Sequence, residues 1–208
     1  GGTPWLVIEA LAARGLLLVA MFVAARILGV AGFGQLAAVY GTIVLLSGLV
    51  SDAMRMTVTR QVAAAAETDP DRARSTIGVI TTSSALAAAL ASALLWMMAP
   101  VLSGPVLGDP QFVGALRIGS LVLLFDATGA VLSAVLLGLR AFRPLALGGL
   151  AGGLPLIPLV ALGASRGGAA GALLGMAAAL GLALAVKAVI LARVTGSRGL
   201  SPTLRWQR

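Results

Sequence analysis

The chain has 208 residues, of which 59% are hydrophobic and only 11% charged, and its mean hydropathy is +1.04. Those proportions exclude an ordinary water-soluble domain, because apolar stretches long enough to cross a bilayer fill almost the whole sequence. The net charge of +8 would point to nucleic acid in a soluble protein. Here no basic stripe is interleaved with aromatic residues, so nucleic acid is excluded as a partner and the basic residues are read as membrane-edge charges. Cysteine and histidine are absent, which removes disulfides, thiol nucleophiles, imidazole bases and the usual zinc and haem ligands. No enzymatic activity, metal or organic cofactor is expected.

At about 20 residues per crossing, six spans are predicted, over 6–28, 35–64, 76–99, 112–139, 144–164 and 169–194. The strictly apolar part of the first, 15–25, covers only about 16 Å at the helical rise. The helix must therefore extend backwards and take Arg14 into the membrane. It stops in Leu28-Gly29-Val30-Ala31-Gly32-Phe33-Gly34, where the glycines suggest a tight turn. The second span is longer than a crossing requires, and its polar lower half, from Ser51 to Arg60, is expected to project from the bilayer. A charged loop over 67–74 follows.

The third span is expected to stop at Pro100. A loop with Gly104-Pro105 and Asp109-Pro110 leads to the fourth. The basic turn Arg140-Ala141-Phe142-Arg143-Pro144 opens the fifth, which Gly152-Gly153, Pro155 and Pro158 should kink. Arg166-Gly167-Gly168 turns into the sixth, and a basic tail occupies 195–208. Arg72, Arg74, Arg140, Arg143, Arg193, Arg198, Arg205 and Arg208 fall on one side of this arrangement. The other side holds Arg166, with Arg26 and Arg117 near helix ends. By the positive-inside rule both termini and the even-numbered loops lie in the cytoplasm. The fold class is an all-α membrane protein, a bundle of six transmembrane helices over 1–194 with both termini cytoplasmic.

Function must be read from the polar groups that the membrane tolerates. Asp126, near the middle of the fourth span, is either a cavity-lining acid or a structural hydrogen-bond partner between helices. Arg14 either snorkels to the inner headgroups or forms a positive wall facing an anionic substrate, and Glu9 is placed to pair with it. Asp52 and Arg55 are three apart on one helical face and permit a local ion pair. Alternatively Arg55 and Arg60 meet phosphate, which the planar guanidinium fork binds in bidentate fashion. Arg26 and Arg117 are read as headgroup contacts and Lys187 as a snorkelling residue. Thr81-Thr82-Ser83-Ser84 and the many small residues are read as helix-packing positions.

Arg26-Ile27-Leu28-Gly29, Gly32-Phe33-Gly34, Ser51-Asp52 and Thr59-Arg60-Gln61-Val62-Ala63 together resemble the polysaccharide flippases of the multidrug/oligosaccharidyl-lipid/polysaccharide exporter superfamily. Gly138-Leu139-Arg140-Ala141-Phe142-Arg143 is similar to their fourth-helix exit. Arg166-Gly167-Gly168-Ala169-Ala170-Gly171-Ala172 is similar to the start of their sixth helix. Two departures are visible. Family members usually carry twelve or more spans in two six-helix lobes, and this chain supplies one. Ala53-Met54 also replaces the Gly-Leu that commonly follows the second-helix aspartate.

The resemblance implies a transporter lobe of the cytoplasmic membrane that turns an undecaprenyl-diphosphate-linked glycan between leaflets by alternating access, in cell-surface polysaccharide synthesis. It also implies a second six-helix lobe, from further sequence or from a second copy. Arg14, Asp126, Arg55, Asp52 and Arg60 are the candidate cavity residues. Two alternatives stay open: a cation-coupled multidrug or small-solute exporter of the same superfamily, with H⁺ or Na⁺ coupling, and a non-transporting membrane scaffold subunit.

Overall fold

The computed structural model describes residues 14–68, 70–104 and 112–197, with side chains throughout except at 49–57, 63–68, 70–76 and 197. Four helices account for almost all of it: α1 (Leu16–Thr68), α2 (Pro70–Ser103), α3 (Phe112–Gly138) and α4 (Phe142–Ser197). No strand occurs among the described residues. All four helices are long and apolar enough to cross a membrane. The chain is an all-helical membrane protein.

Where six separate spans were expected there are thus four helices, because two of the expected turns need no loop. In α1 only Gly29 leaves helical backbone, at φ 67° and ψ −175°. The expected seven-residue turn over 28–34 is therefore a one-residue reversal, and helix resumes at Val30. A straight helix would separate Leu17 from Val44 by about 40 Å, yet both line one cavity, so α1 folds back on itself at Gly29. Glycine suits this position because φ in the left-handed region costs other residues roughly 1–2 kcal/mol.

α4 reverses at Gly167 and Gly168, whose backbones are non-helical. Its two limbs then run antiparallel at unusually close range. A methyl group on Gly163 would overlap the carbonyl of Gly171, one on Gly175 would overlap that of Leu159, and one on Gly152 would strike the Ala183 side chain. Small residues at a helix–helix seam let the two backbones approach this closely, which is how membrane helices gain packing energy without a hydrophobic driving force.

Two further expectations, the stop at Pro100 and the loop over 67–74, are corrected. α2 passes through Pro100 and ends at Ser103, whose hydroxyl donates to the Pro100 carbonyl at 3.1 Å. So close to the C-terminus, the proline removes a single ladder bond. Pro155 and Pro158 likewise lie inside α4, which departs from helical dihedrals only at 167–168. The charged loop over 67–74 is helical on either side of residue 69, which lies outside the described residues. Pro70 takes the first helical position of α2, where a missing N–H is no loss.

The turn after α3 replaces a loop by a hydrogen-bonded cap. Arg140 adopts φ 54°, while Ala141 N–H bonds the Leu136 carbonyl at 3.0 Å and Arg140 N–H bonds Leu137 at 2.9 Å. This is a Schellman closure with arginine in the left-handed position that glycine usually fills.

Cross-helix contacts fix the register. Ile43 meets Gly119, Ser47 meets Asp126, Thr59 meets Ala134 and Val62 meets Gly138, so the second limb of α1 runs parallel to α3. Ser92 bonds the Ser120 carbonyl and Trp96 meets Arg117, so α2 runs antiparallel to α3. The Gly29 and Gly167–Gly168 turns, the end of α2 and the start of α3 therefore share one end of the bundle. Gly163→Ala is expected to destabilise the protein by about 1–3 kcal/mol through overpacking, read as a lower thermal midpoint in detergent. Gly114→Ala, which meets nothing within 4 Å, should be neutral or slightly stabilising.

Candidate functional site

Two apolar clusters fill the two halves of the bundle. One gathers Ala20, Leu36, Val39, Leu123, Val160 and Leu173 among others, towards the glycine turns. The other gathers Val58, Val62, Ile77, Val135, Leu136 and Leu145, towards the α3–α4 junction. Along α3 the first ends at Leu123 and the second begins at Val131. Between them on α3 lies a layer that holds Asp126, and Ser133 follows just beyond Val131.

Asp126 is the acid of this layer. Ser47 of α1 donates its hydroxyl to Asp126 Oδ2 at 2.6 Å, a short charge-assisted bond. The carboxylate is exposed rather than enclosed by packing, and it faces a cavity of about 160 Å³. Leu17, Tyr40 and Ile43 from both limbs of α1, Val122 from α3, and Gly152 and Met176 from the two limbs of α4 wall that cavity. A second cavity, of about 130 Å³, lies between α3 and the second limb of α4. The two share Asp126, Leu180, Ala183 and Lys187. This shared wall is the candidate site.

Lys187 is its cation: the residue read from the sequence as snorkelling lines both cavities. Its stem lies against Gly148 of the first α4 limb, where a methyl group would sit 3.0 Å from Lys187 Cγ. Its ammonium donates to Ser133 Oγ at 2.9 Å, and Ser133 in turn donates to the Gly129 carbonyl at 3.0 Å. Asp126, Gly129 and Ser133 recur at three- and four-residue spacing, so one face of α3 presents both the acid and the residue that holds the lysine. One signal in the sequence was available: Lys187 is the only lysine, among 15 basic residues.

Of the other candidates, Arg14 and Arg60 are exposed and line neither of these cavities. The side chains of Asp52 and Arg55, and Glu9 altogether, lie outside the described residues. The Thr81–Ser83 hydroxyls return to carbonyls of their own helix, such as Thr81 to Ile77 at 2.7 Å. Ser84 Oγ is buried and has no partner among the described residues.

The helices and this shared polar wall define a membrane protein with an internal site that carries both charge signs. A family model described as polysaccharide biosynthesis protein matches residues 2–202. The chain belongs to that family, in agreement with the resemblance carried by its glycine turns and second-helix motif. No curated protein and no solved structure matches it.

Because the sequence has no cysteine, single replacements can map the cavity directly. Val44→Cys, on the cavity wall and 48% exposed, should react readily with a membrane-impermeant thiol reagent in detergent. Leu123→Cys, fully buried, should stay unlabelled. Ser47→Ala removes the hydrogen bond to Asp126 and is expected to cost about 1–3 kcal/mol, measured as a lower thermal midpoint.

Proposed function

We propose that the chain is one lobe of a flippase that moves a lipid-diphosphate-linked oligosaccharide across the cytoplasmic membrane by alternating access. The observation that supports this most is the cavity wall holding Lys187 in a member of a polysaccharide biosynthesis family. A diphosphate entering the membrane needs a cation within a wet, walled space, because isolated charge in hydrocarbon is expensive. Lys187 offers a compact ammonium there, in the role that the sequence reading gave to Arg14, Arg55 and Arg60.

In this reading each limb of α1 and α4 is a crossing, giving six, with both termini cytoplasmic. The family match and the fold-backs at Gly29 and Gly167–Gly168 support it. A second six-helix lobe, from the same polypeptide or from a second copy, would complete the path, and the two lobes would rock about it as transporter repeats do. The lobe binds and carries substrate and performs no covalent chemistry on it.

Asp126 on the same wall favours one second reading, a cation-coupled exporter of small solutes, since an intramembrane carboxylate is the usual site of proton or sodium coupling. Reconstituted vesicles separate the two. Translocation of a fluorescent lipid-linked glycan, lowered about ten- to hundredfold by Lys187→Ala as befits loss of a charged hydrogen bond, supports the flippase. Cation-driven dye efflux without glycan translocation would sink it. Thiol labelling from each side tests the topology: cysteines replacing Arg166 and Arg143 should label from opposite faces.

A further inference from the structure

Two arginines of this chain lie over aromatic rings, and one of them is held there by the bundle itself. Ser92 of α2 is buried and donates to the Ser120 carbonyl of α3 at 2.7 Å. That bond sets the register of the two helices. Trp96 lies four residues beyond Ser92 and Arg117 three residues before Ser120, so both occupy the next turn towards the same end. The Arg117 guanidinium then lies over the Trp96 ring, 4.6 Å from its centroid. Ser120 donates back to the Arg117 carbonyl at 2.7 Å and closes the unit.

The depth of this pair is informative. α3 has 27 residues and is about 40 Å long, against about 30 Å of hydrocarbon. Arg117 lies in its second turn, at the boundary where phosphates and interfacial tryptophans reside. The guanidinium is exposed, and no acidic side chain pairs with it among the described residues. A guanidinium held over a ring by its charge can still offer N–H donors to a phosphate.

Below it, towards the bundle middle, the surface turns apolar. Leu121 continues the exposed stripe of α3 one turn on and is 42% exposed. On α2, Ala93 and Ala89 are exposed one and two turns from Trp96, on the same side of that helix. A cationic fork beside an exposed apolar strip complements one kind of molecule, an amphiphile with a phosphate head and an acyl tail.

We propose that Arg117, laid on Trp96, binds the phosphate of a negatively charged membrane phospholipid whose acyl chain lies along Leu121, Ala93 and Ala89. This lipid is a resident of the bilayer and differs from the transported molecule, since its site faces outward and shares no residue with the Asp126–Lys187 cavities. It anchors the end of the bundle that carries the Gly29 and Gly167–Gly168 turns.

The test uses the full chain in vesicles with Trp5 and Trp206 replaced by phenylalanine, so that Trp96 alone fluoresces. Dibrominated phosphatidylglycerol and dibrominated phosphatidylcholine, at equal mole fraction, are compared as quenchers. The expected result is about fivefold preferential association of the anionic lipid, the discrimination that one interfacial cation supplies, and its disappearance in Arg117→Gln. Equal quenching by the two lipids overturns the proposal, as does a preference that persists in Arg117→Gln. Arg117→Lys, which keeps the charge without the stacked plane, should lose more than half of the preference. An unchanged preference there reveals a general attraction of the basic chain for anionic lipid and overturns the site. Should Arg117→Gln fail to fold, the comparison of the parent with Arg117→Lys decides the question alone.

Discussion

The hydrogen bond from Ser47 to Asp126 is the point on which the interior depends. A carboxylate at the centre of a bilayer costs roughly 2.5–3.5 kcal/mol even by the mildest scale. A hydrogen bond to a charged group returns about 1.5–3 kcal/mol, so at 2.6 Å the serine offsets most of that cost but leaves some over. The carboxylate must keep access to a polar space, which is why it borders cavities instead of vanishing into packing. The apolar clusters accordingly divide at this level, one on either side. The bond also ties α1 to α3, so the same contact that makes the acid tolerable helps fix the register of those two helices.

The α4 hairpin provides the room. Its limbs approach through Gly163, Gly171 and Gly175 until backbone meets backbone, and the seam continues through Gly152 and Gly148 towards the polar layer. At Gly148 the absent side chain becomes the channel for the Lys187 stem. Packing and function therefore rest on one run of small residues. Near the turn the run gains helix–helix contact, and two turns further on it opens a wall of the cavity. A larger residue near the turn would spread the limbs and displace the ammonium from Ser133 without touching either group.

Much of this was legible in the sequence, for a physical reason. Hydropathy along one chain reports apolar helices directly, and glycines report where a helix can reverse, so Gly29 and Gly167–Gly168 were readable as turns. Pro100 misled: it was read as a stop, but in a membrane bundle neighbouring helices and local adjustments absorb a missing hydrogen bond. Asp126 was found because a charge in the middle of an apolar span is conspicuous. Lys187 was not, because snorkelling and inward pairing look alike in one dimension. Only the register of α4 on α3, set by glycine contacts between distant segments, puts Ser133 within reach of its ammonium.

That lysine also explains an asymmetry in composition. Arginine serves every other basic position of the chain. At the bundle edge its spread charge is an advantage: it lies over the Trp96 ring, 4.6 Å from the centroid, and carries five donors. The slot between Gly148 and Ser133 sets the opposite requirement. It is narrow enough that one methyl group would crowd the Lys187 stem, so it admits a slim aliphatic chain with a compact head. A guanidinium there would have to turn its plane against the helix backbone and find partners for five donors, where an ammonium has three. The choice between the two cations thus follows the width of the site as much as its charge, and Lys187 is the basic residue that lines both cavities among the described residues.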